Sequence, residues 1–103
     1  MDIQRISEEV ELVSQQYAGK FEIERDATWF VLKLQEEVGE LIQAYLMLAG
    51  KARTKGMSPQ EMRAAFEKEV ADVFCQTLLL ARFYKIDLEK EVEEKWLSWN
   101  KKA

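Results

Sequence analysis

ATWFVLKLQEEVGELIQAYLMLAG, residues 27 to 50, is the stretch whose reading decides the fold. Its apolar residues Phe30, Leu34, Val38, Leu41, Tyr45 and Leu48 recur at intervals of three and four, the period of one helix face rather than the alternation of a strand. Asp26 precedes it as an N-cap for the first-turn amides, and Gly50 supplies a stop. Downstream, the basic connector KARTKGM leads into SPQE, where Ser58 is an N-cap, Pro59 takes the first helical position and Glu61 completes a capping box. That helix runs to about Tyr84. Asp87 then caps a fourth helix, expected to end near Asn100. Upstream, Ile3, Ile6, Val10, Val13 and Tyr17 place a first helix over about residues 2 to 18, closed by Gly19. No segment sustains strand alternation. The expectation is a single all-α domain over residues 1 to 103, four helices with a central antiparallel helical hairpin.

Composition narrows the function. A hydrophobic share of 48% is enough for a core, yet 103 residues leave much surface in water unless a second copy covers it, so oligomerisation is expected. A net charge of −4 argues against a general nucleic-acid binder, which needs a clustered basic face, and suits a site for divalent cations. Cys75 is the sole cysteine, so no intrachain disulfide forms and a reducing compartment fits. The start, MDIQRISEEV, lacks the basic and apolar regions of a signal peptide, and no apolar run reaches the roughly 18 residues of a membrane span. A cytoplasmic address without a membrane partner is expected. The absence of histidine is the sharpest restriction: Ser/His/Asp triads, Cys/His pairs, HExxH zinc sites and the ExxH motifs of di-iron bundles all require it. Chemistry here must rest on carboxylates, lysines, hydroxyls or bound metal.

Two hexapeptides supply the carboxylates. EVGELI at 37 to 42 and EVADVF at 69 to 74 carry acids at identical offsets, with small residues, Gly39 and Ala71, between them. At about 100° per residue, Glu37 and Glu40 fall about 60° and 120° to one side of the stripe through Leu34. Measured from Phe66 on a stripe through Phe66, Val70, Val73, Thr77 and Tyr84, Glu69 and Asp72 fall at the same two angles. Both pairs lie about 15 Å from the connector, so an antiparallel hairpin brings four carboxylates to one level. Their repulsion must be offset, either by lysine and arginine partners or by divalent cations, and Mg²⁺ prefers such all-oxygen sites. Against this stands the plainer reading of ExxE as a solvated helix face in a chain with 19 acids.

These motifs resemble those of the MazG-like, all-α nucleoside triphosphate pyrophosphohydrolases, which carry ExxE followed by ExxD. Glu37 and Glu40 match the first half, Glu69 and Asp72 the second, and the likeness extends over roughly residues 26 to 84. The resemblance implies Mg²⁺-dependent cleavage of a nucleotide between its α and β phosphates (Mn²⁺ being an alternative ion), giving a monophosphate and pyrophosphate. It also implies a homodimer or homotetramer, a nucleotide cleft lined by helices, and a house-cleaning or pool-control role. The four matching acids would be metal ligands. Glu36, about 160° from the stripe, either orients or deprotonates the attacking water or is solvated. Lys33 either contacts phosphate or pairs with Glu37 one turn on. Relatives place base-contacting aromatics before the acidic motif, where Phe21, Trp29 and Phe30 stand; Phe30 falls on the core stripe, and Trp29 and Phe21 either stack on a base or pack. Lys95 and Asn100 are the candidates here for a lysine and an asparagine that relatives use on phosphate, and Trp96 and Trp99 are equally suited to anchoring an oligomer. Three rivals remain: a non-catalytic helical interaction module, a phosphoribosyl-ATP pyrophosphohydrolase, and a di-iron bundle that the lack of histidine disfavours.

Overall fold

The chain starts each of its helices with a side-chain cap. The computed structural model describes residues 2 to 102, and the side chains of residues 2 to 100. It contains α1 (Ile3–Lys20), α2 (Ala27–Leu48), α3 (Pro59–Tyr84), α4 (Leu88–Lys95) and a 3-10 segment (Leu97–Lys102), with no strand among the described residues. Asp2, Asp26, Ser58 and Asp87 each accept from the backbone N–H three residues on. At Ser58 the capping box is complete, because Glu61 Oε1 accepts from the Ser58 amide at 2.8 Å.

The helix ends share a device that the glycines only partly announce. After α2, Lys51 N donates to Leu46 O at 2.8 Å and Gly50 N to Met47 O at 3.1 Å, a Schellman pair with Gly50 at φ 74°. The same pair follows α3, where Ile86 N donates to Ala81 O and Lys85 stands at φ 56°, and follows α1, where Ile23 N donates to Ala18 O and Glu22 stands at φ 55°. Gly19, expected as the stop of the first helix, therefore lies inside its last turn. The left-handed position falls on Glu22, three residues later.

Helices α2 and α3 form the antiparallel hairpin. Tyr45 near the end of α2 meets Phe66 near the start of α3, ring centroids 6.4 Å apart, and Phe30 near the start of α2 meets Phe83 at 5.0 Å. Helix α1 lies against the second half of α3: Arg82 Nη1 donates to Ser7 Oγ at 3.2 Å, and Ile3 and Ser7 share a recess with Leu78 and Ala81. The connector to α2 is tied back by Arg25, whose guanidinium donates twice to the Glu11 carboxylate (3.0 and 2.7 Å) and once to Ser14 Oγ.

Because α3 packs on two neighbours, its buried positions differ from the single stripe expected. Val70 and Tyr84, read as inward, are 46% and 56% exposed, whereas the core is Leu78, Leu79 and Ala81 with Phe30 and Ala18. The fourth helix is also shorter than expected. It stops at Lys95, where Ser98 Oγ donates back to Glu94 O and the chain tightens into the 3-10 segment.

Helix α4 and the 3-10 segment pack mainly on each other, forming an arm with few contacts to the other helices. The radius of gyration, 16.5 Å, exceeds the roughly 13 Å of a compact chain of this length. The accessible surface, 8066 Å², exceeds by about 2,000 Å² that of a typical folded monomer of this mass. Large apolar side chains account for much of the surplus, including Leu12, Val13, Leu32, Ile42, Trp96 and Trp99. None of the helices described is long and apolar enough to cross a membrane.

Candidate metal centre

Glu37 and Glu40 project from one side of α2, and Glu69 projects from α3 at the same level. One carboxylate oxygen of each lies within 4.8 Å of the others. The offsets in the sequence thus meet in space, as the hairpin geometry required. Asp72 is not part of this tight group. Its charge still acts on Glu37 and Glu69, and it lines the adjoining cavity beside Glu37. Among the described residues the structure brings three of the four expected acids into ligand distance of one another and leaves the fourth on the flank.

Two oxygens of this group, Glu37 Oε2 and Glu69 Oε2, are buried without a hydrogen-bond partner. Burial first, then the charges of Glu40 and Asp72, a hydrogen bond toward Glu40 and the charge of Glu69 push the Glu37 carboxyl up to about 7. Burial, with the charges of Asp72 and Glu40, also raises that of Glu69. No lysine or arginine pairs with Glu37, Glu40 or Glu69 among the described ion pairs. Hard carboxylate oxygens, close together, partly desolvated and without a cationic side chain, form a donor set that fits Mg²⁺ or Mn²⁺. Gly39, between the acids of α2, is not small for packing reasons within the chain, since a Cβ there would meet nothing within 4 Å.

Beside the acids opens a cavity of about 490 Å³. Its acid end is Glu37 and Asp72, one helix supplies Val10, Val13, Ser14 and Tyr17, and Trp29, Lys33, Cys75, Gln76 and Leu79 complete the wall. Trp29 is positioned by an edge contact with Phe30, centroids 5.1 Å apart. Lys33 Nζ lies 3.3 Å from Glu36 and 5.6 Å from the Tyr17 ring centre. The ion pair is thus with Glu36 rather than with Glu37, the partner expected one turn on. Burial opposes the charge of Lys33, but Glu36, Tyr17 and Glu37 outweigh it and hold the ammonium above its ordinary range. Glu36 itself is more than half exposed and lies outside the carboxylate group. The Cys75 thiol is pushed up by burial and by Asp72, so it stays protonated at neutral pH.

Other expected site residues lie elsewhere. Phe21 is 55% exposed at the end of α1, its ring tilted against Tyr17 with centroids 4.9 Å apart, and does not line the cavity. Lys95 ends α4 and Asn100 lies in the 3-10 segment, both on the arm and outside the cavity wall. The α1 side of the cavity and Gln76 went unread in the sequence. Gln76, four residues after Asp72, had a signal in that spacing; Val10, Val13, Ser14 and Tyr17 enter only through tertiary packing. Comparison of the chain with protein-family profiles, curated proteins and solved structures yields no match.

Proposed function

We propose that this chain is a Mg²⁺-dependent nucleoside triphosphate pyrophosphohydrolase of MazG-like arrangement, cleaving (d)NTP between the α and β phosphates to (d)NMP and pyrophosphate. The observation that carries the reading is the convergence of Glu37, Glu40 and Glu69 within 4.8 Å, two of them with buried unpartnered oxygens, at the end of an aromatic-walled cavity. Glu37, Glu40 and Glu69, with Asp72 at the flank, would hold the cation. Bound Mg²⁺ supplies charge neutralisation for the leaving pyrophosphate and acidifies a water. Lys33 presents its ammonium inside the cavity, where a phosphate oxygen competes with Glu36 for it. Glu36, outside both the carboxylate group and the cavity wall, has no part in this reading beyond holding Lys33 in place until phosphate displaces it. Trp29 and Tyr17 give the far end the apolar surface a base requires. Phe21, Lys95 and Asn100 have no part in this reading within one chain.

The surplus surface of about 2,000 Å² is of the size that stable homodimers bury, which supports a homodimer or a homotetramer. A cytoplasmic role in nucleotide-pool control or house-cleaning follows from the reaction. The test is pyrophosphate release from a panel of canonical and modified (d)NTPs and phosphoribosyl-ATP, with Mg²⁺ and with chelator. Metal-dependent release from a nucleoside triphosphate is expected, and release from phosphoribosyl-ATP alone would change the substrate. The same exposed apolar surface also suits a non-catalytic interaction module. A folded preparation that binds neither Mg²⁺ nor Mn²⁺ and releases no pyrophosphate would favour that second reading.

A further inference from the structure

Resting on the pyrophosphohydrolase reading, we propose that the carboxamide of Gln76 reads the hydrogen-bonding edge of the nucleobase, making it the specificity-determining residue of the cavity walled by Tyr17 and Trp29. Gln76 stands one helical turn beyond Asp72, about 6 Å farther from the acids along α3. It lines the cavity, and its Oε1 is buried with no hydrogen-bond partner. A buried amide oxygen without a donor carries a desolvation cost that a donor on the ligand removes.

Several other polar groups of the wall are already engaged within the chain. Ser14 Oγ accepts from Arg25, Lys33 pairs with Glu36, and Glu37 and Asp72 form the acid end. Cys75 is a weak donor at most. Val10, Val13, Tyr17, Trp29 and Leu79 add mostly carbon surface. A volume of about 490 Å³ lies within the range of small-molecule sites. With phosphates at the acid end, the heterocycle of the same molecule falls beside Gln76. A carboxamide offers one acceptor and one donor side by side, so it matches a base edge that presents one donor next to one acceptor.

The test compares kcat and KM for pyrophosphate release across the four dNTPs in the wild type, Gln76→Leu and Gln76→Glu. In the wild type one base is preferred. Gln76→Leu raises KM for that substrate about ten- to a hundredfold with little change in kcat, because the lost contact is remote from the reacting phosphorus, and the preference collapses. Gln76→Glu is nearly isosteric but only accepts, so it changes the order of preference, favouring an edge with two donors. It carries the test if the leucine variant does not fold. An unchanged panel, or an equal loss for every base, overturns the inference while leaving the pyrophosphohydrolase reading intact. Absence of metal-dependent release from all four substrates in the wild type overturns both.

Discussion

Raising the pH of the metal-free protein from about 5 to about 7.5 forces the charge of Glu37 into a group it shares with Glu40 and Glu69. Folding holds the Glu37 proton up to about 7, against an ordinary value of 4.5. That difference corresponds to about 3 kcal/mol, and the partial exposure of the group reduces it to about 1.5 to 2 kcal/mol. Coulomb's law brackets the same figure: unit charges 4.8 Å apart repel by about 1 kcal/mol in water and about 3.5 kcal/mol at an effective dielectric of 20. The native state binds the proton more tightly than the unfolded chain, so this contribution is complete below the unfolded value. It declines as the pH rises from there and is gone above about 7. The carboxyl of Glu11 is lowered, chiefly by its hydrogen bond from Arg25, so its contribution is lost only at more acid pH and does not mask the effect. Thermal unfolding followed by circular dichroism with chelator should show a melting temperature lower by on the order of 10 °C at pH 7.5 than at pH 5. Millimolar Mg²⁺ or Mn²⁺ should restore most of the loss at pH 7.5, and Glu40→Gln should weaken the cation response and reduce the pH slope without removing it, because burial is the first cause of the Glu37 shift. Equal melting temperatures at the two pH values, with no response to either cation, would refute the account of the acid group.

Four further outcomes can be measured directly. Glu40→Ala and Asp72→Ala should each abolish metal-dependent pyrophosphate release while the far-ultraviolet spectrum stays helical; turnover retained by both variants would remove the site assignment. Arg25→Met leaves Glu11, only 18% exposed, without its guanidinium, and urea titration should show a loss of about 2 kcal/mol. Lys85→Gly relieves a left-handed backbone at φ 56° and should raise stability by about 1 kcal/mol, a gain that would be absent if the α3 end were not in that conformation. Light scattering at micromolar concentration should return a mass two or four times that of the chain, and a monomeric mass would contradict the reading of the exposed apolar surface.

Local chemistry made much of the fold legible. Asp26, Ser58 with Glu61, and Asp87 mark helix starts because a cap satisfies amides within three residues, a condition that no distant contact alters. The offsets of Glu37, Glu40 and Glu69 were equally legible, since helical periodicity fixes an angle and the capped connector fixes a level. Helix ends were read less well. A left-handed cap favours glycine but does not demand it, so Glu22 and Lys85 gave no sign. The final helix failed at Trp96, because a short helix with little tertiary contact is held mainly by local bonds, and Ser98 offered a competing one.

The sequence by itself thus determined four helices, three of them with their caps, the pairing of α2 with α3 and the meeting of three of the four expected acids, all consequences of periodicity and chain length between two fixed points. Tertiary structure decided what surrounds those acids. Docking of α1 on the second half of α3 buries Leu78, Leu79 and Ala81 and places Tyr17 opposite Trp29 and Gln76 around one cavity. The facing of α2 and α3 leaves Glu37 Oε2 and Glu69 Oε2 desolvated without partners. Such features depend on which faces meet across long stretches of chain, and a one-dimensional pattern carries no record of that contact.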